Sequence, residues 1–457
     1  ELRDAAELLA RDLVTRGVGY GDMVTIALPN SVDWFVAQHA IWRVGGIPQP
    51  VSARLPQREL EAIVELADSR VVFGVDADVL PGRTCLPIGY RPPAGLDGVE
   101  LPDIDDMALA SPAWKAPTSG GSTGRPKLIV SGDPAVRDTD AESMLRVRDD
   151  ECMVVPGPLY HNGPAVWATE GLMYGNHVVL LPRFDAEATL AAIDTYRADV
   201  IYLVPTMMKR IWRLPEDVRE RYDVSSLRVV WHLAEPCPPW LKKVWIDWLG
   251  PERIFELYAG TEAQTVTIIT GEEWLAHRGS VGKVPDDSVM ITDADGVELP
   301  PGEMGEVWLR NTSGKDTYRY VGAEARTLGG GWESLGDMGY VDQDGYLYLG
   351  DRSADMILSG GANIYPAEVE AAINEHPAVR SACVIGLPDD DLGNRVHAII
   401  EADPTAIDDD ELRAFLGNRL ARYKVPRSFE VVDEPLRDDA GKMRRSALRA
   451  ARVTPAH

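Results

Sequence analysis

Apolar and polar positions alternate along the chain in two rhythms, and both appear within the first fifty residues. Glu1 to Val14 (ELRDAAELLARDLV) carries apolar residues at helical spacing and predicts an amphipathic helix, whereas Met23 to Leu28 (MVTIAL) is a short β-branched run that predicts a buried strand. Asp33 to Val44 returns to helical spacing. Arg70 to Val75, His177 to Leu181, Leu190 to Tyr196, Val200 to Val204 and Leu227 to Trp231 continue the alternation of strands and helices. That order predicts parallel α/β sheets.

From about Gly279 to Tyr348 the texture changes to short strands with Asp-Gly turns at Asp295-Gly296 and Asp344-Gly345, which predict hairpins and a small β-barrel. Beyond Gly350 a shorter α/β unit follows: helices at Pro366 to Asn374 and Asp409 to Arg422, strands at Ala382 to Ile385 and Val396 to Glu401. The expected fold class is therefore α/β, with a large N-terminal domain of layered α/β subdomains plus a small β-barrel over residues 1–350. A hinge is expected at 351–355 and a small, mobile C-terminal α/β domain over 356–457. No internal repeat or low-complexity linker interrupts the chain.

Composition narrows the partners. At 457 residues the chain exceeds what one core usually serves. Its 46 Lys and Arg stand against 72 Asp and Glu, a net charge of -26 that argues against nucleic acid. A bound polyphosphate then needs a local neutral or basic loop and a divalent metal. Cys85, Cys152, Cys237 and Cys383 are scattered without a CxxC pair, so neither a disulfide framework nor a zinc cluster is expected, and a reducing cytoplasm fits. No apolar run reaches the roughly 18 residues of a membrane span. The first helix reads as amphipathic rather than as a signal peptide, and it opens without a preceding strand, so residues upstream of Glu1 are expected.

The clearest chemical signal is TSGGSTGRPK, residues Thr118, Ser119, Gly120, Gly121, Ser122, Thr123 and Gly124 through Lys127. Its glycines let backbone N–H groups converge on phosphate oxygens, its hydroxyls add donors, and Lys127 adds a point charge. It is not a Walker loop, because Arg125 and Pro126 separate Gly124 from Lys127 and no hydroxyl follows the lysine. Read alone, it is equally a flexible Gly/Ser turn.

At this loop the chain resembles the adenylate-forming superfamily of acyl-CoA synthetases, luciferase-like enzymes and adenylation domains. The resemblance spans essentially the whole sequence. YAGTE (Tyr258 to Glu262) is similar to the family's nucleotide motif. GWESLGDMGYVDQDGYLYLGDRSADMILSGG (Gly331 to Gly361) is similar to its long signature, and AGKMRR (Ala440 to Arg445) to its C-terminal lysine motif. The resemblance implies ATP-dependent activation of a carboxylic acid to an acyl-adenylate, then acyl transfer to coenzyme A or, as in amide-forming members, to an amine.

Each motif also has a chemical reading. Tyr258 can stack on a purine, Thr261 can bond the α-phosphate, and Glu262 can bind Mg²⁺. Ala234, Glu235 and Pro236 occupy the place where the family lines adenine, with Glu235 where a small residue is usual. Asp337 would accept the ribose hydroxyls and Arg352 would meet the same sugar. Lys442 would hold the carboxylate and α-phosphate together in the transition state, with Gly441 allowing close approach. By analogy His161 and Gly163 line the acyl pocket, with Trp167, Met207, Trp231 and Gly260 as further walls; tryptophans and histidines also serve as plain core residues. The chain's 12 Trp favour a flat aromatic acid. Arg419, Arg422, Lys424 and Arg427 could meet CoA phosphates or form a solvated face.

One departure touches the second step. Ala354 stands at the hinge position where relatives usually carry Asp or Lys, which puts domain rotation, and with it the thiol tunnel beside Ser359 to Asn363, in question. A rival from another class is a non-catalytic nucleotide-binding module that kept the fold.

Overall fold

The computed structural model describes residues 1–103, 106–120, 126–352, 355–359, 362–389, 391–438 and 442–453. The β-branched runs form two parallel sheets. The first has the order Ile47–Pro50, Met23–Ile26, Val71–Phe73, Thr84–Leu86. The second orders Thr267–Thr270, Ile254–Tyr258, Val229–His232, Val200–Leu203, Cys152–Val155 and His177–Leu180, and only its Thr267–Thr270 edge is antiparallel. Strands buried on both faces must read as continuous apolar runs, as VIYL and VVWH do. One core of Leu13, Ile26, Trp34, Met153, Ile201 and Trp231 joins the two sheets through their helices.

The helices begin where local chemistry allows. Ser31 caps Val32–Arg43 by accepting from the Trp34 N–H, and Asp185 caps Ala186–Tyr196 by accepting from the Ala188 N–H at 2.8 Å. Leu190 to Tyr196 is thus the second half of a helix. A three-stranded sheet of Thr118–Gly120, Pro126–Ser131 and Tyr318–Val321 stands between the parallel sheets and the β-rich region. That region pairs Ser280–Lys283, Tyr346–Arg352, Asp337–Val341, Gly305–Leu309, Trp332–Ser334 and Arg326–Gly329 in order, with Val289–Thr292 against Gly305–Leu309. The pairing path among the described residues is open-ended.

The C-terminal unit packs helices Pro366–Asn374 and Asp409–Gly417 on the strands Ser381–Asp389, Gly393–Glu401 and Ser428–Val432 around Ile373, Val384, Ile400 and Leu416. The second of these helices is shorter than the pattern predicts. It ends at Gly417, with Asn418 as its cap, because two poor helix formers interrupt the run before Arg422. The unit docks on the helix Pro205–Trp212: Lys209 Nζ donates to Asn374 Oδ1 at 2.8 Å, and Arg213 donates to the carbonyls of Asn374, His376 and Val379. Ala354, at the expected hinge, lies outside the described residues. All four cysteines are free thiols, and no described helix is long and apolar enough to cross a membrane.

Candidate active site

Ligands of open α/β sheets gather at the carboxyl ends of parallel strands. Here four of the segments singled out in the sequence leave the six-stranded sheet at that edge. His161 and Gly163 follow Cys152–Val155, Thr206 and Met207 follow Val200–Leu203, Ala234 to Pro236 follow Val229–His232, and Gly260 to Glu262 follow Ile254–Tyr258.

The segments on either side of the glycine-rich loop, Thr118–Gly120 and Pro126–Ser131, pair antiparallel, with Ser119 facing Lys127 and Gly120 facing Pro126. Thr118 Oγ1 accepts from Gln49 Nε2 at 2.8 Å, which ties this strand pair to the first sheet. Gly121, Ser122, Thr123 and Gly124 lie outside the described residues. Lys127 reaches Glu262, Nζ to Oε1 at 3.5 Å, and lies 3.8 Å over the Tyr320 ring. Tyr320 also donates to Glu262 Oε1 at 2.6 Å, and Thr317 donates to the Glu262 carbonyl at 2.7 Å. Burial and the bond to Glu262 push the Tyr320 phenol well up, so it stays a donor.

Glu262 is therefore a buried carboxylate with Oε1 held and Oε2 turned towards Gly260, where an added Cβ would lie 2.9 Å from it and 2.4 Å from Leu335. A larger residue there would have to displace the Leu335 side chain and the Glu262 carboxylate. One oriented carboxylate oxygen suits magnesium, which is commonly bound through one or two carboxylates and the substrate's phosphates. Thr261 sits partly buried between these two residues. Glu262→Gln should lower adenylate formation about 10- to 100-fold and raise the magnesium requirement, since an amide is a weaker ligand. An unchanged magnesium titration removes Glu262 from the site.

Tyr258 Oη donates to Asp337 Oδ2 at 2.8 Å, which brings the purine candidate and the ribose candidate together. Register sets Arg352 directly opposite Asp337 on the neighbouring strand, although its side chain lies outside the described residues.

The acyl side is built around Tyr202. An added Cβ on Gly163 would lie 2.4 Å from the Tyr202 hydroxyl, and Trp167 packs on the same ring at 4.9 Å. Met207 is buried beside Gly157. Trp231 stands one layer back, donating its indole N–H to Leu145 and reaching the site only through Trp167 at 5.8 Å. His161 Nε2 and Trp167 Nε1 are buried without hydrogen-bond partners. Buried polar atoms normally find partners, so orphans grouped at a cleft mark a place where a ligand supplies them. Burial, helped by the charge of Lys442, lowers His161 to about 3, so the ring is neutral.

Lys442 belongs to the C-terminal unit yet lies close enough to His161 to act on its titration. Its backbone N–H donates to Asp438 Oδ1 at 2.9 Å, and the Asp438 N–H donates to the Lys442 carbonyl at 3.0 Å. Gly441 lies outside the described residues. Glu235 departs from its expected role. Its neighbours Ala234 and Pro236 are exposed, but its side chain is only 8% exposed and turns to Thr206 and Arg437.

Three groups near Glu262 escape the sequence reading. Tyr318 and Gln264 both donate to Glu333, at 2.8 and 3.1 Å, beside the Tyr320 contact. Lys115 contacts Asn162 and sits 4.0 Å over Trp114; burial holds its amine down to about 7. An aromatic–Lys pair carries no motif, so only the tertiary contact reveals it. The basic row expected to meet CoA is partly engaged: Arg419 pairs with Glu375 at 2.7 Å and Lys424 with Glu368 at 2.6 Å, while Arg422 and Arg427 are exposed. Within the expected thiol tunnel, Gly360 and Gly361 lie outside the described residues.

The model of the AMP-binding enzyme family matches residues 1–318, and that of the AMP-binding enzyme C-terminal domain matches 368–442. A feruloyl-CoA synthase from Amycolatopsis sp is 32% identical, over 98% of this chain and 92% of its own. The o-succinylbenzoate CoA synthetase of Bacillus subtilis, solved with its acyl-adenylate intermediate, superposes with a TM-score of 0.80 at 26% identity over 98% of this chain and 92% of its own. The same synthetase has been solved with ATP and a magnesium ion. An amide bond synthetase from Marinactinospora thermotolerans superposes with a TM-score of 0.81 at 27% identity, over 99% and 94% of the two chains. Matched over residues 1–318 and 368–442, the chain belongs to the AMP-binding enzymes of the adenylate-forming superfamily.

Proposed function

We propose that this chain activates a carboxylic acid with ATP and passes the acyl group to the thiol of coenzyme A. The observation that carries the reading is the meeting, at one sheet edge, of Lys127 and Glu262, of Tyr258 and Asp337, and of Lys442 with the His161–Gly163 pocket. In the first step a carboxylate oxygen attacks the α-phosphorus and the bond to the β-phosphate oxygen breaks, releasing pyrophosphate. Two anions must approach, so Lys442 stabilises the charge that builds between them and Lys127 meets the departing one. Glu262 would hold Mg²⁺, which when bound neutralises phosphate charge. Asp337 and Tyr258 orient the nucleoside, and neutral His161 and Gly163 receive the acyl group. In the second step the thiol loses its proton, its sulfur attacks the acyl carbonyl, and AMP leaves.

The hinge is proposed at 351–355, and its Ala354 supports a second reading, transfer to an amine with less dependence on domain rotation. Trp167 beside Tyr202 supports an aromatic acid. The test supplies ATP, Mg²⁺ and a panel of aromatic and aliphatic acids, and follows acid-dependent exchange of labelled pyrophosphate into ATP. CoA or simple amines are then added separately and products identified by mass. Exchange followed by thioester is expected; amide without thioester would reverse the acceptor, and no exchange with any acid would leave a nucleotide-binding module.

A further inference from the structure

The left-handed backbone of Ala234, φ 75°, turns the chain sharply after the strand Val229–His232 and sends the Glu235 carboxylate inward. Thr206 Oγ1 donates to Glu235 Oε2 at 2.8 Å, and Arg437 Nη1, from the C-terminal unit, approaches the same oxygen at 3.8 Å. Oε1 is buried without a hydrogen bond. Both side chains are largely withdrawn from water, 16% exposed for Arg437 and 8% for Glu235, so the pair is little screened by solvent. Burial pushes the Glu235 carboxyl up from its ordinary range, and Arg437 is the largest influence pulling it back.

Arg437 forms the stem of a hairpin. It bridges to Met443, and Asp438 and Lys442 exchange two hydrogen bonds, so a constraint on Arg437 is carried to Lys442. On its own side Arg437 Nε donates to Ser381 Oγ at 3.3 Å. On the other flank Asp438 Oδ2 lies 4.0 Å from His161 Nε2. Other contacts between the units are Lys209 to Asn374, Arg213 to three carbonyls and, beside the hairpin stem, Arg444 to Glu59 at 3.3 Å; the Lys209 charge also bears on Glu235, less than that of Arg437 does.

We propose that Glu235 is a positioning residue for adenylation: through Arg437 it seats the Lys442 hairpin over the acyl site. The proposal rests on the adenylating function given above. Glu235 touches no reacting atom. Its effect belongs to the one domain arrangement in which Arg437 faces it, so it should serve the first half-reaction and leave the second untouched. Withdrawing Arg437 removes the largest cationic influence on a buried carboxylate, which makes the contact selective for that arrangement.

The experiment separates the half-reactions, using the full chain and the acid that gives the strongest exchange. Glu235→Gln and Arg437→Gln should each lower kcat for ATP–pyrophosphate exchange about 10- to 100-fold while KM for ATP moves less than about threefold, since misplacing a catalytic group costs rate more than binding. Acyl transfer from supplied acyl-adenylate should stay within about twofold of the parent. Glu235→Arg should be worse than Glu235→Gln, and Glu235→Arg with Arg437→Glu should recover about tenfold or more over Glu235→Arg alone. Equal loss in both half-reactions, undiminished exchange in Glu235→Gln, or no recovery in the charge swap would overturn the proposal. Absence of exchange in the parent enzyme would instead overturn the adenylating function on which it rests.

Discussion

Lys442→Ala should leave the fold and ATP affinity nearly intact and reduce acid-dependent ATP–pyrophosphate exchange by about 10²–10³-fold or more, the range lost when one preorganised electrostatic group is removed from a transition state. Two features favour a rate effect over a binding effect. Lys442 lies on the exposed hairpin of the C-terminal unit, so its removal opens no cavity in a core. Its charge already bears on His161, a residue of the proposed acyl site. The check is exchange kinetics with ATP varied at saturating acid. A rise in KM for ATP with kcat preserved would make Lys442 a ground-state contact and return the catalytic role to Lys127.

Lys242→Met should cost about 3–5 kcal/mol of stability, because it strands a buried carboxylate. Lys242 Nζ donates to Glu256 Oε2 at 2.5 Å, and the lysine side chain is fully buried, under the strand that leads into Tyr258. His232 Nε2 lies 4.0 Å from the same carboxylate, and burial together with the Lys242 charge holds His232 well below its usual range, so the neutral ring does not compensate. Adding Glu256→Leu should recover most of the loss, since a buried ion pair replaced by apolar groups of similar size is close to neutral. Denaturant unfolding of both variants checks this. A single variant as stable as the parent would show that the pair contributes nothing to the sheet beneath the nucleotide site.

The large features of the fold were legible because they depend on short-range rules. Continuous β-branched runs suit strands covered on both faces, and the runs of the N-terminal domain lie in its two parallel sheets, while Ala382 to Ile385 lies in an antiparallel pair. The Asp344-Gly345 turn joins the antiparallel strands that hold Asp337 and Arg352 opposite one another. Helix ends were less legible: the pattern carried the last long helix to Arg422, while Gly417 and Asn418 end it earlier. The candidate nucleotide motifs are legible through the resemblance that their residues carry, and the structure pairs Lys127 with Glu262 and Tyr258 with Asp337.

What the sequence determined by itself is the alternation of elements, the Asp-Gly turns of the β-rich region, and, through the resemblance its motifs carry, the family. The first two are encoded in periodicity or in turn chemistry within a few residues. Tertiary structure alone decided the partners of the charged side chains. Tyr320 reaches Glu262 across 58 positions, Glu235 turns from the nucleotide face to Arg437 on another unit, and Lys242 meets Glu256 under the sheet. A local pattern reports which face of an element is buried. Which charge meets which in that buried space depends on how elements far apart in the chain are stacked, and the low dielectric there makes the choice consequential.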